Sequence, residues 1–411
     1  MKTPEGYKQT EVGVIPEDWQ VKTVEDIFEL PSASVATSII DKDYYIGTEN
    51  MRPNKGGIEL NTINIKYNQV KEYRKNDILM SNIRPYLKKI WLADRDGGCS
   101  SDVLVFRVKG DEYVHRLLYN LLSEDRIFQT INGSTIGTKM PRGDKNVIKS
   151  LLIPLPSTLA EQNQIATVLQ DIDDLISILD RQIEKKRQIK EGAMQQLLTG
   201  KTRLPGFKQP WVEKTIEEIG LLTGAGVDKT ILYDEQAIRL VNYLDVFRRN
   251  FIYDKELNYW VTANDKKISQ CSIYKGDLFF TPSSEMPYDI ALSAVAMEDM
   301  KNVCYSYHIY RLRFIEDIDL IYKAYMFKSK DFYEQANQTC EGSGKRYVIS
   351  LSKFRNLRVY YPLDIKEQKA IASVLYDMDE EIRQLEAERN KYTLIKQGMM
   401  QELLTGKTRV K

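Results

Sequence analysis

One stretch of 44 residues occurs twice in this chain, and the duplication restricts the possible folds more than any other feature. Residues 161–204 and 367–410 align without a gap at a constant offset of 206, and about half of the positions are identical. Both copies contain Leu-Leu-Thr-Gly-Lys-Thr-Arg near their ends. An internal repeat of this kind indicates that one structural plan is built twice.

Each copy has the pattern of a long helix. Apolar residues recur at alternating spacings of four and three, which is typical of a coiled-coil seam that faces one partner. The predicted helix-pair seam consists of Ile165, Leu169, Ile172, Ile176, Leu179 and Ile183 in the first copy, and of Ile371, Leu375, Met378, Ile382 and Leu385 in the second.

The ends of both helices carry recognisable signals. Capping boxes are predicted at the start, formed by Thr158 with Glu161 and by Asp364 with Glu367, each just after a proline. The glycine of the shared motif is predicted to end each helix in a left-handed cap. Each helix should therefore have roughly 40 residues and a length of about 60 Å.

The chain length and composition predict two globular units. At 411 residues the chain is too long for one ordinary core. No apolar run approaches the length of a membrane span, and the N-terminus has no signal-peptide core, so we expect a cytoplasmic protein with no membrane partner. The four cysteines are scattered without a CxxC pair, so neither a zinc site nor a disulfide framework is predicted.

The regions between the helices also repeat, in a diverged form. Trp211 aligns with Trp19, and Asp277 aligns with Asp77 before a strand-like run. Short strand patterns, turns and a few helical stretches in both regions predict an α+β fold with two similar mixed α/β domains. The predicted segments are domain 1 at 1–157, a central helix at 158–204, domain 2 at 205–363 and a C-terminal helix at 364–411.

Chain connectivity then predicts the arrangement. The first helix leaves domain 1 and enters domain 2, and the second helix starts at domain 2. If the two seams pack together, the helices are antiparallel coiled-coil partners that join and space the domains in a pseudo-twofold object. Such a geometry suits two half-sites on a DNA duplex. The helical segments 158–200 and 364–406 carry net charges of −2 and −3, which leaves +6 on the remaining residues.

Catalytic machinery is hard to find in the sequence. The Gly-Lys-Thr at 200–202 and 406–408 lacks the earlier glycine of a phosphate-binding loop and closes a helix rather than opening one. His115, within a helical pattern, and His308, within a strand pattern, have no partner at metal-ligand spacing. Glu184 and Lys186 form a nuclease-like Glu-x-Lys, but they lie on the coiled coil as solvated charges. The chain is therefore predicted to be non-catalytic, without a metal or cofactor of its own.

Polar loops supply the candidate DNA contacts. Basic, amide and hydroxyl side chains on glycine-bearing loops suit phosphates and base edges in the major groove, although the same residues also suit an ordinary surface. The candidate DNA-binding residues are Asn82, Arg84, Lys88, Lys139, Arg142 and Lys145 in domain 1, and Ser283, Ser284, Ser343, Lys345 and Arg346 in domain 2.

The whole chain resembles the DNA specificity subunits of type I restriction-modification systems. The resemblance rests on the opening TEVGVIPEDW, the runs NDILMS and GDLFFT, the ends PLPS and YPLD, and the repeated EQxxIAxVL with LLTGKTR. It implies that the two domains are target recognition domains, each reading one half of a bipartite, interrupted sequence in double-stranded DNA. It also implies that the helices dock two modification subunits, which carry S-adenosylmethionine and methylate adenine, and through them endonuclease subunits.

Two alternatives of other classes remain at this point. The chain could be a coiled-coil interaction scaffold without a role in DNA reading, which would show no salt-dependent DNA affinity. It could instead be a nuclease or methyltransferase in its own right, which would modify or cut DNA without a partner.

Overall fold

The structure, a computed structural model, describes residues 3–60, 65, 67–137, 139–344 and 346–410. The chain forms two compact units. Unit 1 comprises Met1–Asp180 together with Glu388–Lys411, and unit 2 comprises Arg181–Ala387. Each unit thus contains one globular part and portions of both long helices.

The globular part of unit 1 has two four-stranded sheets, of order β5-β7-β10-β6 and β4-β11-β8-β9, and two strand pairs, β1-β2 and β3-β12. Its strands are β1 (Tyr7–Thr10), β2 (Gly13–Pro16), β3 (Gln20–Thr23), β4 (Phe28–Glu29), β5 (Ser34–Ala36), β6 (Tyr45–Ile46), β7 (Gln69–Tyr73), β8 (Ile78–Ser81), β9 (Ile90–Leu92), β10 (Gly97–Cys99), β11 (Val103–Val108) and β12 (Leu152–Leu155). Its helices are α1 (Val24–Ile27), α2 (His115–Leu122), α3 (Asp125–Gly133) and α4 (Lys145–Lys149), and the long helix α5 (Leu159–Leu197) follows.

The globular part of unit 2 is built in a similar order, with sheets β14-β22-β18-β20-β16, β17-β15-β21 and β19-β24-β23 and the pair β13-β25. Its strands are β13 (Trp211–Thr215), β14 (Gly220–Thr223), β15 (Gln236–Val241), β16 (Phe251–Ile252), β17 (Trp260–Ala263), β18 (Leu278–Phe280), β19 (Ser283–Ser284), β20 (Ser293–Ala296), β21 (Val303–Tyr305), β22 (Tyr310–Phe314), β23 (Glu341–Ser343), β24 (Arg346–Val348) and β25 (Arg358–Pro362). Its helices are α6 (Ile216–Ile219), α7 (Tyr243–Phe247), α8 (Asp265–Gln270), α9 (Leu320–Lys323), α10 (Lys330–Thr339) and α11 (Leu351–Arg355), and the long helix α12 (Ile365–Leu403) follows.

The two aligned aspartates have the same structural role in both units. Asp77 is buried before β8 and accepts a hydrogen bond from Arg107 on β11 at 2.7 Å. Asp277 is buried before β18 and accepts one from Arg313 on β22 at 2.6 Å. A buried carboxylate is costly unless it is paired, so this aspartate fixes the start of one central strand against its neighbour.

The glutamates at the start of the long helices act differently from the prediction. The Thr158 hydroxyl does accept from the Glu161 amide at 3.3 Å, but the Glu161 carboxylate accepts from Trp19 and Arg409 instead of completing a capping box. Burial explains the difference, since Glu161 is only 7% exposed and needs strong donors for its charge.

The second helix start repeats this arrangement. Asp364 caps the Lys366 amide at 2.9 Å rather than that of Glu367. The fully buried Glu367 accepts from Arg203 at 2.8 Å and from Trp211 at 3.3 Å. In both units, therefore, a tryptophan and the arginine of the repeated motif join the beginning of one long helix to the end of the other.

The glycine of the repeated motif lies three residues after the last residue of each long helix and has the predicted left-handed conformation. Gly200 and Gly406 have φ values of 67° and 70°, which other residues adopt only with strain. A Cβ atom on Gly406 would lie 2.4 Å from a Pro16 side-chain atom. Close packing against the globular part therefore adds a second reason for glycine there.

The long helices are antiparallel within each unit. In unit 1, α5 and α12 are joined by the ion pairs Asp173 with Lys396 and Asp180 with Arg389. Since the residue numbers rise along α5 while those of the partners fall along α12, the directions oppose. In unit 2, Lys190 pairs with Asp379 and Arg187 pairs with Glu386, with the same sense. The predicted helix direction is confirmed.

Four of the predicted seam residues also belong to the cores of the globular parts. Ile165 and Leu169 join Leu403 and Leu404 in the core of unit 1, and Ile371 and Leu375 join Leu197 and Leu198 in the core of unit 2. The assignment of a continuous seam remains a prediction. The other seam positions are buried (Ile172, Leu179, Ile183 and Ile382) or partly buried (Ile176, Met378 and Leu385).

Candidate nucleic-acid interface

In unit 1, the segment after β8 meets the segment before α4. Arg142 forms isolated antiparallel bridges with both Ile83 and Ile136. The Arg84 amide donates to the Pro141 carbonyl at 2.8 Å. The structure thus brings Arg84 and Arg142, which come from two separate candidate loops, onto one surface.

In unit 2, the corresponding segments form a small sheet. Ser283 and Ser284 constitute β19, which pairs with β24, and β24 forms a hairpin with β23 in which Arg346 lies opposite Ser343. The candidate Lys345 lies outside the described residues. Both units therefore close the segment after their central strand with a later loop, and four of the candidates in unit 2 share one sheet.

Two cationic candidates in unit 1 are held by carboxylates. Lys88 shares Asp125 with Lys55, at 3.0 and 2.8 Å respectively, and the two lysines hold the pKa of the Asp125 carboxyl below its usual range. Arg142 pairs with Asp102 at 2.8 Å and keeps 54% of its side chain exposed. These side chains are positioned in advance, which lowers the entropy lost when they bind a ligand.

The remaining candidates in unit 1 differ in access. Arg84 and Lys139 are exposed, whereas Asn82 is only 8% exposed and its Oδ1 atom has no hydrogen-bond partner among the described residues. This burial favours a structural role for Asn82. The prediction that Lys145 lies in a loop was wrong, because Asp144 caps the helix α4 that begins at Lys145.

Backbone strain is concentrated in the same part of unit 1. Arg84 and Lys88 have φ values of 50° and 51° and flank the 3-10 turn Pro85–Leu87. Left-handed conformations in residues other than glycine cost on the order of 1 kcal/mol and are found preferentially at functional sites. Two of the left-handed residues therefore lie in the segment that the loop chemistry selected.

The sequence comparison between the domains missed one shared feature of these segments. A Pro-Tyr pair begins a 3-10 turn in both units, at Pro85–Leu87 and at Pro287–Asp289. Tyr86 is 53% exposed and Tyr288 is 65% exposed. The two tyrosines lie 9 and 11 positions after the aligned aspartates, and this difference in spacing conceals the match in a gapless alignment.

A cleft of about 540 Å³ lies beside the turn in unit 2. Tyr243 and Phe247 of α7 stack there with ring centroids 5.7 Å apart. His308 was predicted within a strand but lies between β21 and β22, where burial and the nearby Lys229 and Arg346 lower its pKa. The lining residues include Tyr243, Phe247, Ser283, Met286, His308 and Arg346.

The described residues contain no group of three His, Cys, Asp or Glu side chains that could hold a metal ion. In that same part of the chain, no helix is long and apolar enough to cross a membrane. The Gly-Lys-Thr motifs follow the ends of α5 and α12, which is the opposite of the strand-to-helix context of a phosphate-binding loop.

Two similar globular parts, each presenting converging loops and each closed by antiparallel helices, define a duplicated, two-domain class of protein. A family model for the type I restriction modification DNA specificity domain matches residues 16–188 and again residues 208–393. The chain belongs to this family of type I restriction-modification specificity proteins.

Known proteins agree with this assignment over nearly the full length. The chain is 26% identical to the specificity subunit of the type I restriction enzyme MjaVIII from Methanocaldococcus jannaschii, over 99% of this chain and 97% of that one. The crystal structure of the type I S subunit from M. genitalium has a TM-score of 0.57 at 17% identity, with 98% of both chains covered. A chain from a study of complex assembly in a type I system has the same TM-score at 18% identity, with 96% and 99% covered. These structural likenesses show the fold.

Proposed function

We propose that this chain is the DNA specificity subunit of a type I restriction-modification complex. Domain 1 (1–157) and domain 2 (205–363) each read one half of a bipartite DNA target, and the helices at 158–204 and 364–411 set the spacer between the halves. The chain itself is non-catalytic, and S-adenosylmethionine is bound by the modification subunits that dock on it.

The observation that carries this proposal is the repeated loop closure in both units. Each domain brings partly or fully exposed polar and cationic side chains together after its central strand, while the chemistry of those side chains differs. Arg84 and Arg142 in unit 1 correspond in position to Ser284 and the β24 residues in unit 2. Two readers with one scaffold and different side chains are what two different half-sites require.

The helices also offer a repeated docking surface. Ile189 on α5 and Ile395 on α12 are equivalent in the repeat and are 47% and 40% exposed. The lysine that follows each of them, Lys190 or Lys396, is paired with an aspartate on the other helix. An exposed apolar residue at the same place in both units suits a docking site where a modification subunit binds by helix packing. One site per unit gives two modification subunits in the complex.

Domain exchange tests the reading of half-sites. Replacing residues 205–357 with those of a relative should change one half of the methylated target and leave the other half and the spacer as they were. Methylome sequencing of cells carrying the complete system measures this. A change in both halves would contradict the assignment of one reader per domain.

A matched deletion tests the spacing role. Removing seven residues, about two helical turns, from the middle of both α5 and α12 should shorten the spacer of the methylated sequence while the half-sites persist. Deletion from α5 alone is the control, because it breaks the antiparallel match and should abolish assembly. An unchanged spacer in the matched variant would refute the spacing role.

Docking is tested with substitutions at the repeated isoleucines. Ile189→Arg or Ile395→Arg should each release one modification subunit, and the double variant should release both, as measured by native mass spectrometry of the complex. Ile178→Arg is the control, because Ile178 is 44% exposed on α5 but has glutamine at its equivalent position, Gln384.

A further inference from the structure

The two Pro-Tyr turns constitute a feature that both domains share within segments that otherwise differ. Each turn starts with proline at the first position of a 3-10 helix, Pro85 or Pro287, where the ring fixes φ and no amide donor is lost. The next residue, Tyr86 or Tyr288, extends a largely exposed side chain.

The turns also have the same support. In unit 1 the turn at Pro85–Leu87 packs against α3, and in unit 2 the turn at Pro287–Asp289 packs against α10. In each unit the supporting helix is the last one before the loop that closes over the segment after the central strand. The tyrosine is thus presented in both domains from a turn that packs against the equivalent helix.

The surroundings of the two tyrosines differ in chemistry. The turn in unit 1 is flanked by Arg84 and Lys88. In unit 2, the cleft beside the turn is lined by residues that include Met286, Asp289 and Arg346. Residues that read bases should vary between domains that recognise different half-sites, whereas a residue kept in both should contact what every half-site has in common.

We infer that Tyr86 and Tyr288 are positioning residues that donate their phenolic hydroxyl to the DNA sugar-phosphate backbone, one in each half-site. Tyrosine hydroxyls are frequent donors to phosphate oxygens, and such contacts set the register of a protein on the duplex without carrying sequence information. This inference rests on the proposed function and adds to it one contact per domain, which sets the register of that domain on the DNA.

The test uses the full chain assembled with its modification subunits and duplexes that carry the methylated target sequence. Tyr86→Phe and Tyr288→Phe remove only the hydroxyl. Each should weaken binding about ten-fold, the factor that corresponds to one hydrogen bond to a charged oxygen. The factor should be the same for the target and for duplexes with one altered base pair in either half-site.

Two further measurements separate a backbone contact from other roles. The slope of binding against salt should stay unchanged in both variants, because a neutral hydroxyl releases no counterion. In a scan with single methylphosphonate substitutions, one position in each half-site should bind the corresponding tyrosine variant and the parent protein equally well, since the contact is already lost. Tyr360→Phe, on β25 with 45% exposure, is the control and should bind like the parent.

Three results would overturn the inference. Unchanged affinity in both variants would exclude a contact with DNA by the hydroxyl, and an altered preference at one base pair would make the tyrosine a base reader. Loss of a modification subunit from the purified variants would place the tyrosine in a protein interface. In each case selective binding of the target by the parent complex would leave the proposed function intact, while a parent complex that fails to select the target would refute the function itself.

Discussion

Leu404, near the end of the chain, is predicted to stabilise unit 1 and not unit 2. It is fully buried and belongs to the same core as Ile15 and Trp19. Its equivalent in the repeat, Leu198, is 2% exposed and belongs to the core of unit 2. Leu404→Ala should therefore act on the first globular part of the chain and Leu198→Ala on the second.

The expected magnitude follows from the burial. Leucine-to-alanine changes in well-packed cores cost about 2–5 kcal/mol, and we expect about 3 kcal/mol for a side chain with no exposed surface. Since 1.4 kcal/mol corresponds to a factor of ten, amide exchange that requires opening of the unit should accelerate about 100-fold.

Hydrogen-deuterium exchange with mass spectrometry reads the two units separately. In Leu404→Ala, peptides that cover β8 and β11 should exchange faster while peptides that cover β18 and β20 stay protected, and Leu198→Ala should give the reverse. Leu394→Ala is the control, because Leu394 is 68% exposed on α12, the helix that ends just before Leu404, and should change stability by no more than about 0.5 kcal/mol. Equal acceleration in both units would refute the argument that the residue after α12 closes the core of unit 1 and the residue after α5 closes the core of unit 2.

Three other predictions concern charges. Asp277→Asn should destabilise unit 2 by about 3 kcal/mol, because it leaves Arg313 without its buried carboxylate partner. Denaturant unfolding should then show a lower midpoint, whereas the control Asp331→Asn, at an exposed position, should leave the midpoint unchanged. The hydrogen bond from Arg409 lowers the pKa of Asp18, so this pair stabilises the fold above the ordinary pKa of 3.8 and the contribution is lost as the pH falls below it. Both side chains are more than a third exposed, so Asp18→Asn, which leaves the Arg409–Glu161 pair in place, should remove less than about 1 kcal/mol of this acid-sensitive part. Thermal unfolding between pH 3 and 5 measures it, and a steeper acid loss in the variant would contradict the assignment. Burial lowers the pKa of His115 and His308 below 6.5, so the unfolded chain binds more protons than the folded chain, and stability should fall as the pH drops below about 6.5. The double variant His115→Gln with His308→Gln should have a flatter profile of melting temperature against pH. An unchanged slope would exclude the two histidines as the cause of this pH dependence.

The sequence predicted the parts of the fold that depend on local pattern and repetition. The periodic apolar residues and the terminal glycine located both long helices, and connectivity predicted that they are antiparallel. The role of Glu161 and Glu367 was missed because the same spacing describes a capping box and a buried ion pair. Only the positions of Trp19 and Arg409, which lie far away in the sequence, decide between the two, and no local rule contains that information.

The candidate site was less predictable than the fold. Loop composition located the two segments that follow the central strands, and the structure brings most of their candidates together. Composition could not show that Asn82 is buried or that Lys145 begins a helix. It also could not show that Lys88 has a left-handed backbone and pairs with Asp125. The exposed tyrosines were missed because two extra residues separate Tyr288 from its aspartate, although the repeated Pro-Tyr pair was a usable signal.

The division of the chain between the units has a consequence for its synthesis. Unit 2 is one uninterrupted segment, Arg181–Ala387, whereas unit 1 needs Glu388–Lys411. During translation the ribosome releases the whole of the second globular part and its helix portions before it releases Leu404 and Arg409. The half of the protein that is made first is therefore the half that completes its core last, and until then the nascent chain must keep the apolar surface around Trp19 from aggregating.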